Sequence, residues 1–131
     1  MKFKPGDTAS LSKTITDADI RAFADVTGDH NPLHLDEEFA RQTRFGRRIA
    51  HGMLCASLIS AVIANDLPGQ GSIYLGQTYK FVAPVFLGDT VTARVTIASV
   101  REDKPILKLE TVCTNQRDEV VIKGEATVLV S

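Results

Sequence analysis

Asp29 and His34 flank the dipeptide Asn31-Pro32, so that a carboxylate and an imidazole are held apart by a stiff turn. Proline fixes its own φ, gives up an amide donor and pushes the residue before it, Asn31, into extended backbone. Placed this way, the two side chains could converge on one water molecule from opposite sides. That is the minimal apparatus for hydration, in which one group takes a proton while the other gives one. All three histidines of the chain, His30, His34 and His51, fall in the same stretch, which also holds Asn31 and Gly52. Such clustering points to a site, although an aspartate capping a neighbouring amide and a histidine satisfied in the core would leave the same letters. Asp29 directly follows Gly28, the expected end of a helix, where a further negative charge is disfavoured by roughly 0.3–1 kcal/mol. Stability alone would not select aspartate there.

A second element lies at His51-Gly52. The preceding run Arg47-Arg48-Ile49-Ala50 offers no Ser, Thr, Asp or Asn to cap the apolar helix that follows, although the first amides of a buried helix need partners. Gly52 has no side chain to block approach, so its N–H could serve as an oxyanion donor, reinforced by the positive helix end. Close packing against Gly52, with water on the amides, is the alternative. Ser60 is polar in an otherwise apolar row and is expected either to hold Asp29 or to bond back to the preceding turn. Met53, Ile63, Tyr74 and Phe81 are candidates for an apolar pocket, and core packing explains each of them as well. Arg41, Arg44, Arg47 and Arg48 could meet phosphate groups of a ligand or form a solvated basic surface.

These residues need elements to position them. Thr16-Asp17-Ala18-Asp19 resembles a capping box, and Ile20, Phe23, Ala24 and Thr27 follow at helical spacing, so a helix is expected to run up to Gly28. The segment 29–35 reads as a shaped loop. A short helix is expected to start at Asp36, with Glu37 pairing to Arg41. The run Met53 to Ala64, stopped by Pro68-Gly69, reads as a helix apolar almost all round, which must be enclosed by protein. Tyr74–Phe81, Thr90–Val100, Ile106–Asn115 and Val120–Val130 are β-branched runs joined by turn-forming residues, which predicts antiparallel strands wrapping that helix. The fold class is therefore α+β.

Length and composition bound the rest. A chain of 131 residues, 44% hydrophobic and 24% charged, has the size and balance of one globular domain over 1–131. A net charge of −1 provides no field for a nucleic-acid backbone, so no nucleic-acid partner is expected. No apolar stretch is long enough to cross a bilayer and Met1-Lys2-Phe3-Lys4-Pro5 lacks an export signal, so a cytoplasmic location without membrane association is expected. Cys55 and Cys113 are expected to be buried thiols rather than a disulfide. Neither Cys-x-x-Cys nor His-Glu-x-x-His occurs, and no glycine-rich phosphate loop follows a strand, so neither a metal nor a separate cofactor is expected.

The pattern Asp29-x-Asn31-Pro32-x-His34, followed by His51-Gly52-Met53 opening an apolar helix, resembles the MaoC-like (R)-specific enoyl-CoA hydratases. The likeness extends through Gly71-Ser72-Ile73-Tyr74-Leu75-Gly76-Gln77 and Pro84-Val85-Phe86-Leu87-Gly88-Asp89. It implies a hot-dog fold, an antiparallel sheet wrapped around a long central helix, and a homodimer or dimer of dimers. It further implies hydration of trans-2-enoyl-CoA to (R)-3-hydroxyacyl-CoA, coenzyme A being part of the substrate. Asp29 and His34 would activate water, the Gly52 amide would hold the thioester carbonyl, and Asn31, Ser60 and His51 would support them. The product would connect fatty-acid metabolism with polyhydroxyalkanoate synthesis. A 3-hydroxyacyl-[acyl-carrier-protein] dehydratase and a non-catalytic acyl-CoA-binding hot-dog protein are the competing readings.

Overall fold

The structure is a computed structural model that describes residues 2–130. An edge strand, β1 (Thr8–Thr14), leads into helix α1 (Asp17–Thr27), two short helices α2 (Pro32–Leu35) and α3 (Glu37–Arg41), and the central helix α4 (Gly52–Asn65). The remainder is β2 (Ile73–Gln77), β3 (Lys80–Phe81), β4 (Thr90–Val100), β5 (Ile106–Thr114) and β6 (Val120–Leu129). One antiparallel sheet runs in the order β1-β4-β5-β6-β2, with β3 also paired to β6.

Local chemistry accounts for the helix ends. Thr16 and Asp19 complete the expected capping box of α1, and Gly28 closes that helix in the left-handed region at φ 84°, where glycine carries no Cβ penalty. Segment 29–35 is more ordered than the loop expected from sequence. Pro32 occupies the first turn of α2, where its missing amide costs nothing, and the Asn31 side chain accepts from the Leu33 amide as the cap. Asp36 caps α3 as expected, but Arg41 pairs with Glu38 rather than Glu37, one helical neighbour having displaced the other.

The core lies between α4 and the concave face of the sheet. Cys55, Ile59, Val62 and Ile63 of α4 are buried, as are Val91, Val95 and Ile97 of β4, Leu107 and Leu109 of β5, and Ile122, Ala126 and Val128 of β6. Helix α4 packs on β4, with β1 and β5 on either side. This is the hot-dog arrangement. Enclosure of α4 is incomplete within this chain, however. Met53, Ser57 and Ala64 stay exposed and Ser60 and Ala61 half-buried, forming a strip the sheet does not reach.

The strand β1 was not expected. Its residues are almost all exposed, so no buried face imprints an alternating pattern on it. It is held instead by the ladder to β4 and by hydroxyl pairs across that ladder, Ser12 with Thr92 and Thr14 with Thr90, each at 2.7 Å. At the opposite side the expected strand 74–81 is broken into β2 and β3. Between them the chain crosses β6 at Gly124, where Thr78 bonds Glu125 through its amide at 2.9 Å and its hydroxyl at 3.0 Å. Cys55 and Cys113 are both buried and free.

Candidate active site

Helix α1 ends at Gly28 and delivers Asp29 to the rim of a cavity of about 480 Å³. Asp29, His34, His51, Gly52, Met53 and Phe81 all line that cavity. A carboxylate oxygen of Asp29 and one ring nitrogen each from His34 and His51 lie within 4.8 Å of one another. Asn31 does not line the cavity but ties its neighbours together. Its amide donates to Asp29 Oδ1 at 3.2 Å, and its carbonyl accepts from the His34 amide at 3.0 Å. The other Asp29 carboxylate oxygen is unengaged among the described residues.

Backbone carbonyls set the histidine tautomers, because a carbonyl can only accept. His34 Nδ1 lies 2.8 Å from the Ile49 carbonyl and must carry the proton. In the neutral ring this leaves the lone pair on Nε2, the nitrogen not engaged by Ile49. His51 shows the reverse arrangement, with Nε2 donating to the Asp29 carbonyl at 3.1 Å and Nδ1 buried without a partner among the described residues. The two imidazoles stack with ring centroids 4.0 Å apart, and Phe23 packs on His51 at 4.8 Å. A cation drawn to this group would have to break the His51–Asp29 bond, since the other His51 nitrogen is enclosed. His30, the third histidine, sits on the surface facing Asp25.

Burial pushes the His51 imidazole below its ordinary pKa of 6.5, and the neighbouring His34 ring acts in the same direction, while the bond to the Asp29 carbonyl partly opposes them. The unfolded chain protonates this histidine near 6.5 and the folded chain resists, so the unfolded state binds more protons as pH falls below that value. Stability contributed by neutral His51 is thus present above pH 6.5 and lost on acidification. His51→Gln keeps an N–H for the Asp29 carbonyl and removes the titration. Its Tm is expected to fall less than the parent's as pH is lowered through 6.5; parallel curves in thermal melts would exclude the assignment.

The start of α4 carries no side-chain cap. The Leu54 amide turns back to the His51 carbonyl at 3.1 Å, and the amides of Gly52 and Met53 find no acceptor among the described residues. A Cβ at Gly52 would lie 2.7 Å from Phe81 Cε1, so a side chain there would have to move that ring.

Several expectations are corrected. No hydrogen bond joins Ser60 to Asp29, because Ser60 lies about 12 Å along α4 from Gly52 and outside the cavity. Ile63 is 2% exposed in the core and Tyr74 packs against that core with its hydroxyl on Gln77, so neither lines the cavity. Of the arginines, Arg48 is buried rather than on the surface, Arg41 is paired with Glu38, and Arg47 lies 3.9 Å over the Phe86 ring. Arg44 alone of the four lines the cavity. Phe45, Ile49, Cys55, Val82, Pro84, Val85 and Ile122 also line it and were not anticipated, although Pro84-Val85 belongs to a motif already noted. Burial pushes the Cys55 thiol up to about 12, so it is protonated at neutral pH.

A curved antiparallel sheet around one apolar helix, with a carboxylate and an imidazole beside that helix's uncapped start, defines a hot-dog domain equipped for acid/base work. Residues 4–121 match the MaoC like domain, and the chain belongs to that family. It is 51% identical to the (R)-specific enoyl-CoA hydratase of Rhodospirillum rubrum over 97% of this chain and 88% of that one. It is 47% identical to the 3-hydroxybutyryl-CoA dehydratase of Methylorubrum extorquens over 95% and 79% of the two chains. In structure it matches the (R)-hydratase from A. caviae involved in PHA biosynthesis with a TM-score of 0.97 and 48% identity, covering 99% of this chain and 98% of that one.

Proposed function

We propose that this chain is a hydro-lyase catalysing (R)-specific hydration of trans-2-enoyl-CoA to (R)-3-hydroxyacyl-CoA. The observation that carries the reading is the convergence of the Asp29 carboxylate, the His34 imidazole and the free Gly52 amide on one cavity. The names of the relatives agree with it, and the M. extorquens protein is named for the reverse direction, which any catalyst of this equilibrium also accelerates.

In this mechanism a water molecule sits between Asp29 and His34. One of the pair removes a proton as the water oxygen bonds to C3, and a proton is delivered to C2. Between these events the thioester oxygen carries enolate-like charge, which the Gly52 N–H and the positive end of α4 stabilise. Acid/base assistance supplies about 10²–10⁴-fold and a single oxyanion donor about 3–4 kcal/mol, so both parts are needed. His51 supports the pair by holding the Asp29 carbonyl, and Asn31 by bridging Asp29 and His34. Met53 and Phe81 face the acyl chain, and Arg44 is the guanidinium placed to meet the phosphates of coenzyme A. No metal or further cofactor enters these steps.

We also propose a homodimer, or a dimer of dimers. The uncovered strip of α4, the outer strand β2 and the exposed Ile73, Leu75, Phe81 and Val82 support this, being apolar surface and unpaired edge that a second copy would cover. Among the described residues no helix is long and apolar enough to cross a membrane. A cytoplasmic setting, linking fatty-acid metabolism to polyhydroxyalkanoate synthesis, completes the reading.

Incubation with crotonyl-CoA tests it. Absorbance of the conjugated thioester should disappear and the product should be the (R)-3-hydroxy epimer. Persistent absorbance, or an (S) product, contradicts the proposal. Gly52→Ala probes the space beside the oxyanion donor. The added methyl displaces the half-exposed Phe81 ring, which can swing, so Tm should change little. Because alanine keeps the amide, any loss reports a shifted substrate: kcat/KM is expected to fall at least about tenfold, and full activity would show that a methyl at the start of α4 does not disturb the thioester.

A further inference from the structure

We infer that Arg48 is a positioning residue that fixes the spacing between Asp29 and His34, an inference that rests on the function proposed above. Its guanidinium is buried and spans two elements. Nε donates to the His34 carbonyl at 2.7 Å, and Nη2 donates to Asp17 Oδ1 at 2.6 Å. His34 belongs to α2, and Asp17 opens α1, the helix whose far end delivers Asp29. One side chain therefore grips the element behind each member of the acid/base pair.

The frame behind this grip is the sheet side of the molecule. The Arg48 carbonyl accepts from the Leu87 amide at 3.3 Å, the Ala50 amide donates to the Val85 carbonyl at 2.7 Å, and Ile49 bridges Phe86. Ile49, the next residue, holds the His34 ring through its carbonyl at 2.8 Å. Consecutive residues thus hold His34 twice, Arg48 by its backbone and Ile49 by its imidazole. Backbone placement and ring tautomer are fixed from one strip of chain.

Stability is a poor explanation for a charge in this place. The Arg48 guanidinium is buried while its Asp17 partner is half exposed, so the cation gives up much of its hydration for a pair that water weakens, and an apolar side chain of similar volume commonly stabilises as well. What an apolar side chain cannot do is form two directed bonds to different elements, which the planar guanidinium does. The bond to Arg48, with a second to Arg21, holds the Asp17 carboxyl below the usual carboxylate range, so the anchor stays ionised.

The test combines kinetics with histidine ¹⁵N NMR on the full chain. Arg48→Met keeps volume and removes both donors. It should lower kcat at least about tenfold while KM moves less than about twofold, the pattern of a misplaced acid/base pair rather than lost binding. Arg48→Lys can reach only one acceptor and should fall between. At a pH where the ring is neutral, the parent's His34 should show a single tautomer with the proton on Nδ1; in Arg48→Met the His34 backbone loses its anchor, the ring can leave the Ile49 carbonyl, and a mixture is expected. Unchanged kcat, or a rise in KM alone, in folded Arg48→Met overturns the inference. If Arg48→Met does not fold, Asp17→Ala decides, since it releases only the α1 end of the clamp. A kcat loss of about threefold at constant KM is then expected, and none refutes the role. Should the parent fail to hydrate crotonyl-CoA, the proposed function falls, while the tautomer comparison still decides whether Arg48 orders His34.

Discussion

Replacing Asp29 by Asn, or His34 by Gln, is expected to lower turnover on crotonyl-CoA at least about a hundredfold, with thermal melts close to the parent's. The substituted carboxamide would keep an oxygen for the Asn31 amide, the bond that shapes the turn. The glutamine would keep an N–H that can reach toward the Ile49 carbonyl, the partner of the present His34 ring. Neither change opens a cavity in the core, and both remove a group that exchanges protons. Because the two groups share one water, their effects should not add. The double variant should be only a few-fold slower than the worse single one, since losing either already forfeits the concerted transfer. Near-normal turnover in either folded variant would take that residue out of the mechanism.

Gly124→Ala should be the most damaging single methyl in the molecule. A Cβ at 124 would lie 1.8 Å from the Thr78 carbonyl oxygen, well inside contact distance. Thr78 cannot easily retreat. Its amide and hydroxyl are both bonded to Glu125, and its carbonyl accepts from Gln77 Nε2 at 2.7 Å. Gln77 is bound in turn to Thr111 at 3.0 Å. The strain must therefore part β2 and β3 from β6, at a cost of about 3 kcal/mol or more. That corresponds to a Tm lower by on the order of 10 °C, measurable by calorimetry. A Tm within about two degrees of the parent would show that the crossing is more pliable than this packing implies.

What could be read from the sequence was the part written in local chemistry. The capping box Thr16–Asp19, the stop at Gly28, the apolar run of α4 and the hairpins between β4, β5 and β6 each need only near neighbours to be recognised. The short spacing from Asp29 to His34 and the uncapped Gly52 were legible for the same reason. β1 was not, because its hydroxyl pairs join residues about eighty positions apart and leave no period in the chain. Arg48 was grouped with Arg41, Arg44 and Arg47, since nothing in a run of basic letters tells which one turns inward. Ile63 and Tyr74 show the same limit among apolar residues. Their type demands cover, but whether core or cavity supplies it depends on the curvature of the sheet.

The wall formed by Cys55 bears on the life of the catalyst. A 2-enoyl thioester is an electrophile at the carbon that receives water, and a thiolate beside that carbon would undergo conjugate addition and end as a dead thioether. With its pKa pushed up to about 12 by burial, the sulfur of Cys55 stays a thiol at neutral pH. The same enclosure that packs α4 against the sheet thus spares the protein self-alkylation by its proposed substrate.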